Sequence, residues 1–179
     1  MAEEKKEPWL NYLALTTVVF AVCATLSTLK GGGFSTRSVM SQSQASDQWA
    51  YYQAKSIKSY LYELQKEKLE LDAKTLKGGA LKADMDKRIA SYSEKIKRYD
   101  EEKKEIRTKA EELEVRRDLS QKHSGAFGMA AMFLQIAILL SSIAALMKQK
   151  YAWFVGLGAG SIGLLYFFNG FFLFMPAFL

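Results

Sequence analysis

Three apolar stretches long enough to cross a membrane, 9–29, 126–147 and 151–176, bracket one charged stretch, 35–122. A soluble domain interleaves apolar and charged residues so that each helix can bury one face; here the two kinds are separated along the chain. Each apolar stretch covers a hydrocarbon layer of about 30 Å at about 1.5 Å per residue. The segregation predicts an all-α membrane protein with three transmembrane helices and a long antiparallel helical, coiled-coil hairpin between the first and second.

Inside the charged stretch, Lys77-Gly78-Gly79-Ala80 supplies the turn. The second arm, 81–122, carries Met85, Ile89, Tyr92, Ile96, Tyr99, Lys103, Ile106, Ala110 and Leu113 at alternating spacings of four and three, the period of a coiled-coil seam. In the first arm, 38–76, the aliphatic residues Ala50, Ala54, Ile57, Leu61, Leu64 and Leu71, with Lys68, follow the same period. Opposing Leu71 to Met85, Leu64 to Tyr92, Leu61 to Ile96, Ile57 to Tyr99 and Ala50 to Ile106 satisfies every layer in one register.

A second stripe on the first arm, Tyr62, Leu69 and Leu76, lies off that seam. A two-helix hairpin buries one stripe per arm, so this one predicts an interface with another copy. Trp49, Tyr51 and Tyr52 join it, because their register places them far from the membrane ends, where an aromatic anchor has no role. Lys30-Gly31-Gly32-Gly33, and Gly125 with Gly128 at the same height, predict glycine joints that interrupt both arms, with Ser35 or Ser38 capping the restarted helix. The domain boundaries expected are therefore 1–30 for the tail and first span, 31–124 for the hairpin and 125–179 for the paired spans.

The net charge of +6 raises the question of nucleic acid, but the basic residues alternate with acidic ones along the helices, as on a solvated face, so no nucleic-acid partner is expected. Cys23 is the only cysteine and lies in an apolar run. The charged start followed by an apolar stretch is expected to be retained rather than cleaved, and Val22 before Cys23 argues against lipid attachment. Pro8 suits a first helical turn, and Trp9 and Tyr12 an interfacial belt. In the third span Gly158, Gly160 and Gly163 mimic a dinucleotide fingerprint without the strand it needs; Gly156, Gly160 and Gly163 are expected to pack helices closely. Asp118, His123 and Ser124 hold the residue types of a hydrolytic triad but crowd one helix end. No catalytic residue, metal ligand or cofactor is expected, and the protein is not expected to be an enzyme.

The stretches Glu4-Lys5-Lys6-Glu7-Pro8-Trp9-Leu10-Asn11, Ala21-Val22-Cys23-Ala24-Thr25-Leu26 and Ser41 to Ser56, with the pattern Gln-Ala-x-x-x-Trp-x-x-Tyr-Gln-Ala-Lys at 44–55, resemble a bacterial family catalogued as domain of unknown function four-three-three-seven. The resemblance covers essentially the whole chain. It implies a bacterial membrane protein with this layout, and no activity or site residues.

The function expected is a homo-oligomeric scaffold in the bacterial inner membrane, partnered by itself and by lipid. Lys5, Lys6, Lys148 and Lys150 favour a cytoplasmic N-terminus and an extracytoplasmic hairpin, while Lys30, Arg37, Arg116, Arg117 and Lys122 pull the other way. The alternative is a pore or transport component, whose path would have to use Gln135, Asn169, hydroxyls or backbone groups, since the spans carry no charge.

Overall fold

The structure, a computed structural model, describes residues 8–76 and 78–175. The tail carrying Lys5 and Lys6, the turn residue Lys77 and residues 176–179 lie outside them. Three helices follow in order: α1 (Pro8–Thr75), α2 (Ala80–Met147) and α3 (Lys150–Phe172). There is no strand among the described residues. All three helices contain a segment long and apolar enough to cross a membrane.

Local chemistry sets the ends. Pro8 opens α1, where its missing N–H is harmless. Gly78 and Gly79 turn the chain at φ 130° and 111°, which side chains with a Cβ rarely adopt, and Ala83 N–H then donates to Gly79 O to start α2. At the other turn Lys148 takes φ 49° and Gln149 N–H reaches back to Ala144 O, closing α2.

The glycine joints do not form. α1 runs through Gly31–Gly33 and α2 through Gly125 and Gly128 as continuous helix, so Ser35 and Ser38 cap nothing and lie mid-helix. Each glycine costs about 1 kcal/mol of helix propensity, but helical residues on both sides carry the hydrogen-bond ladder across. At Gly31 the missing side chain is used: a Cβ there would stand 3.1 Å from Phe127 Cβ, and Ser124 Oγ donates to Gly31 O.

The chain divides into two compact units, one spanning Met40–Arg116 and one built from the chain up to Val39 together with Arg117 onward. In the latter, Trp9, Leu13 and Ala144 form one core cluster and Phe20, Ala24, Leu134 and Ala137 another. Trp9 is buried against Trp153 rather than standing in an exposed belt, with the ring centroids 6.1 Å apart. Hydroxyls in the apolar segments serve their own helices: Thr17, Thr25, Ser27, Thr28, Ser142 and Ser161 each donate to the carbonyl four residues back. That leaves these hydroxyls satisfied within their own helices.

Candidate interaction surface

Within Met40–Arg116 the α1 and α2 segments touch through long-range pairs. Trp49 Nε1 donates to Glu114 Oε1 at 2.9 Å, Lys55 pairs with Glu102, and Tyr62 packs on Tyr92 and Tyr99 at 5.4 and 5.9 Å. On α2, Met85, Ile89, Tyr92, Ile96 and Tyr99 are half-buried, Ile106 is buried and Ala110 is fully buried.

On α1 the two stripes are exchanged. Ala50 and Ala54 are exposed, and Ile57, Leu61, Leu64 and Leu71 keep 61, 54, 63 and 57% of their surface open, although they were expected to form the seam. Buried or half-buried positions at alternating four and three are instead Ser41, Ala45, Gln48, Tyr52, Lys55, Ser59, Tyr62, Lys66, Leu69, Ala73 and Leu76, with Trp49 and Ser56 half-buried beside them. Tyr62, Leu69 and Leu76, expected to face another copy, therefore face α2. Trp49 and Tyr52 are half-buried and meet edge to face at 5.7 Å, while Tyr51 stays 48% exposed with the Lys55 ammonium over its ring.

The reason is the kind of contact α1 makes. Its inner stripe contains few aliphatic residues. Ala45 and Ala73 let the helices come close, tyrosines of the two helices stack, and the Lys55 ammonium lies over the rings of Tyr51 and Tyr99 and meets Glu102. Ser59 and Ala73 were not singled out in the sequence, and Ala45 and Lys55 stood there only inside the 44–55 pattern, with no place on the seam. A usable signal for the pair was a lysine on α1 opposite a glutamate on α2 in the expected register.

The exposed surface of this unit is thus unequal. The open side of α2 is charged, with Arg88–Asp84, Arg98–Glu102 and Arg107–Glu111 paired within the helix. The open side of α1 carries an aliphatic stripe interrupted by Lys68.

In the other unit, the third-span glycines pack inside the chain. A Cβ on Gly156 would stand 3.2 Å from Ala137 O, one on Gly160 would fall within the Phe20 ring, and one on Gly163 would lie 2.8 Å from Leu134 Cγ and 3.0 Å from Leu134 N. Gly158 faces open space. These three glycines meet Phe20 of α1 and Leu134 and Ala137 of α2 in the same chain. Phe127, fully buried, gathers Phe34, Phe167 and Phe171 around it. His123 stacks on Phe34 at 4.5 Å and its Nδ1 lies 2.8 Å from Gly170 O, a carbonyl in the last turn of α3 that no helical N–H can reach. Asp118 pairs with Arg117 and Ser124 bonds Gly31 O, so Asp118, His123 and Ser124 each bond elsewhere. Gln135 is exposed on α2, whereas Asn169 is buried with Oδ1 accepting the Met175 N–H; the structure does not bring these two together.

A family model described as domain of unknown function (DUF4337) matches residues 9–173. The chain belongs to that family. No curated protein and no solved structure matches it. The DUF4337 match runs from the first turn of α1 to the residue that caps α3, and its description assigns no activity.

The charged pair at the inner face of this DUF4337 chain gives a pH-dependent expectation. The hydrogen bond from Lys55 holds the Glu102 carboxyl below its ordinary range, and the same bond holds the Lys55 ammonium above its own. A lowered carboxyl contributes stability that is complete above the unfolded value near 4.3 and is lost as pH falls through the folded one. The raised lysine contributes below its unfolded value and is lost only in strong alkali. Thermal melts followed by circular dichroism should therefore show wild type above Glu102→Gln at pH 6, with the gap closing by pH 3. A gap independent of pH would mean that the pair adds nothing through its charge.

Proposed function

We propose that the protein is a multi-pass membrane scaffold that assembles with copies of itself. In this reading all three helices cross a bilayer, and α1 and α2 continue beyond it as an antiparallel coiled-coil hairpin. The apolar segments and their self-satisfied hydroxyls support insertion. The pairs Trp49 with Glu114, Lys55 with Glu102 and Tyr62 with Tyr92, whose numbers fall on α2 as they rise on α1, support the hairpin. Lys148 and Lys150 flank the short turn between α2 and α3, and short basic turns favour the cytoplasm, so the hairpin is assigned to the opposite face of a bacterial inner membrane.

The observation that carries self-assembly is the exposed stripe Ile57, Leu61, Leu64 and Leu71. Full burial of one such side chain contributes about 1.5 to 3 kcal/mol. Repeated over successive layers, that gain can exceed the ordering and association costs. The interface proposed is thus the aliphatic side of α1, in place of Trp49, Tyr52, Tyr62, Leu69 and Leu76. Oligomers of wild type in detergent at micromolar concentration should appear in native mass spectrometry, and Leu61→Glu with Leu64→Glu should leave monomers of unchanged helicity. A wild-type protein that is monomeric under those conditions would remove the scaffold reading.

A further inference from the structure

The exposed side of α1 also carries information about how two copies meet, given the reading that the chain inserts in a membrane and self-associates. We infer that the stripe of one copy packs on the same stripe of a second copy, in parallel and in register, with Lys68 selecting that register. Copies inserted by the same signals leave the bilayer on the same face, so their α1 helices run in the same direction. A two-fold axis along the membrane normal then sets each residue opposite its own counterpart.

The spacing of the open residues fits such a seam. Ala54, Leu61 and Lys68 recur every seven, and Ile57, Leu64 and Leu71 recur three residues after each. These are the a and d positions of a parallel coiled coil, and both sets lie on the open side of α1. The charged face of α2 offers no comparable stripe, because its arginines are held by carboxylates of the same helix.

Lys68 is the one charged residue in the run from Ala54 to Leu71 at these positions, and a single lysine at an a position is a known means of specifying register at some cost in stability. Its neighbours supply the compensation. Glu67 and Asp72 occupy the flanking g and e positions, are exposed, and, with Lys68, form no ion pair among the described residues, whereas Lys66 on the inner side pairs with Glu70. Two chains in register bring two Lys68 ammoniums among two Glu67 and two Asp72 carboxylates. A slip by one heptad puts Lys68 against the Leu61 layer instead and takes the partner's ammonium away from Glu67 and Asp72.

Single cysteines at Ile57, Leu64 and Leu71 in full-length protein with Cys23→Ala test the geometry. Each should give disulfide dimers in membranes under mild oxidation, with yields about tenfold above Lys104→Cys on the charged face of α2, the discrimination expected when the mate lies within disulfide reach. Crosslinking at no more than one height, with native mass spectrometry still giving oligomers, would overturn the parallel pairing and leave self-association intact. Monomers in native mass spectrometry would remove both. For the register, Lys68→Glu should raise the dissociation concentration about tenfold and Lys68→Leu should lower it about tenfold, as a charge gained or a polar layer lost at an a position requires. Equal dissociation concentrations for both variants and wild type would overturn the role of Lys68.

Discussion

Phe127→Ala is expected to be the most damaging single substitution in the three-helix unit, costing about 3 to 5 kcal/mol. Phe127 has no exposed surface, and its ring lies 5.0 Å from that of Phe171, 6.0 Å from Phe34 and 6.2 Å from Phe167. Two glycines fit against it: a Cβ on Gly31 would stand 3.1 Å from Phe127 Cβ, and one on Gly170 would lie 2.7 Å from its ring. Glycines have no side chain to swing into a void, so the cavity left by alanine cannot collapse. Under the proposed membrane insertion, burial from water does not drive helices together and packing dominates, which makes an unfilled cavity the main loss. Loss of helicity on titrating dodecyl sulfate into detergent micelles should come at markedly lower fractions for Phe127→Ala than for Phe154→Ala, whose ring is 60% exposed. Equal sensitivity of the two variants would mean that the ring cluster is not the core.

The second large effect separates two alanines of α1 that look alike in sequence. Ala45 is 1% exposed and lies on the side facing α2; Ala54, nine residues on, is exposed. Leucine at position 45 has no space and should cost about 1 to 3 kcal/mol by overpacking. Leucine at position 54 should change stability by about 0.5 kcal/mol or less, and under the proposed assembly it adds an apolar layer to the interface. Thermal melts of the full-length variants should rank Ala45→Leu well below Ala54→Leu. The reverse ranking would return the aliphatic stripe to the inner side of α1.

These two alanines show where reading the sequence stops. The α2 stripe from Met85 to Ile106 was legible because it is the only sustained four-three pattern on its segment. α1 carries two such patterns, one aliphatic and one of alanine, serine, tyrosine and lysine. Choosing the more hydrophobic one is the natural rule, and it fails here because the inner side gains from close backbone approach, stacked tyrosines and the Lys55–Glu102 bond rather than from aliphatic area. The glycines misled for a related reason. Propensity weighs Gly31 as a helix breaker, but its value lies in the room it leaves for Phe127, a residue nearly a hundred positions away.

The sequence by itself determined the class of the protein: helical, with three membrane-length apolar segments and a charged stretch turned at Gly78-Gly79. Those properties follow from local composition and period, which act within a few residues of one another. Only the tertiary structure decided which side of α1 meets α2, which glycines are load points for packing and which aliphatic residues remain open. Each of those outcomes depends on the shape of a partner surface distant in the chain, and one helix with two regular stripes cannot specify its inner side until that partner is in place.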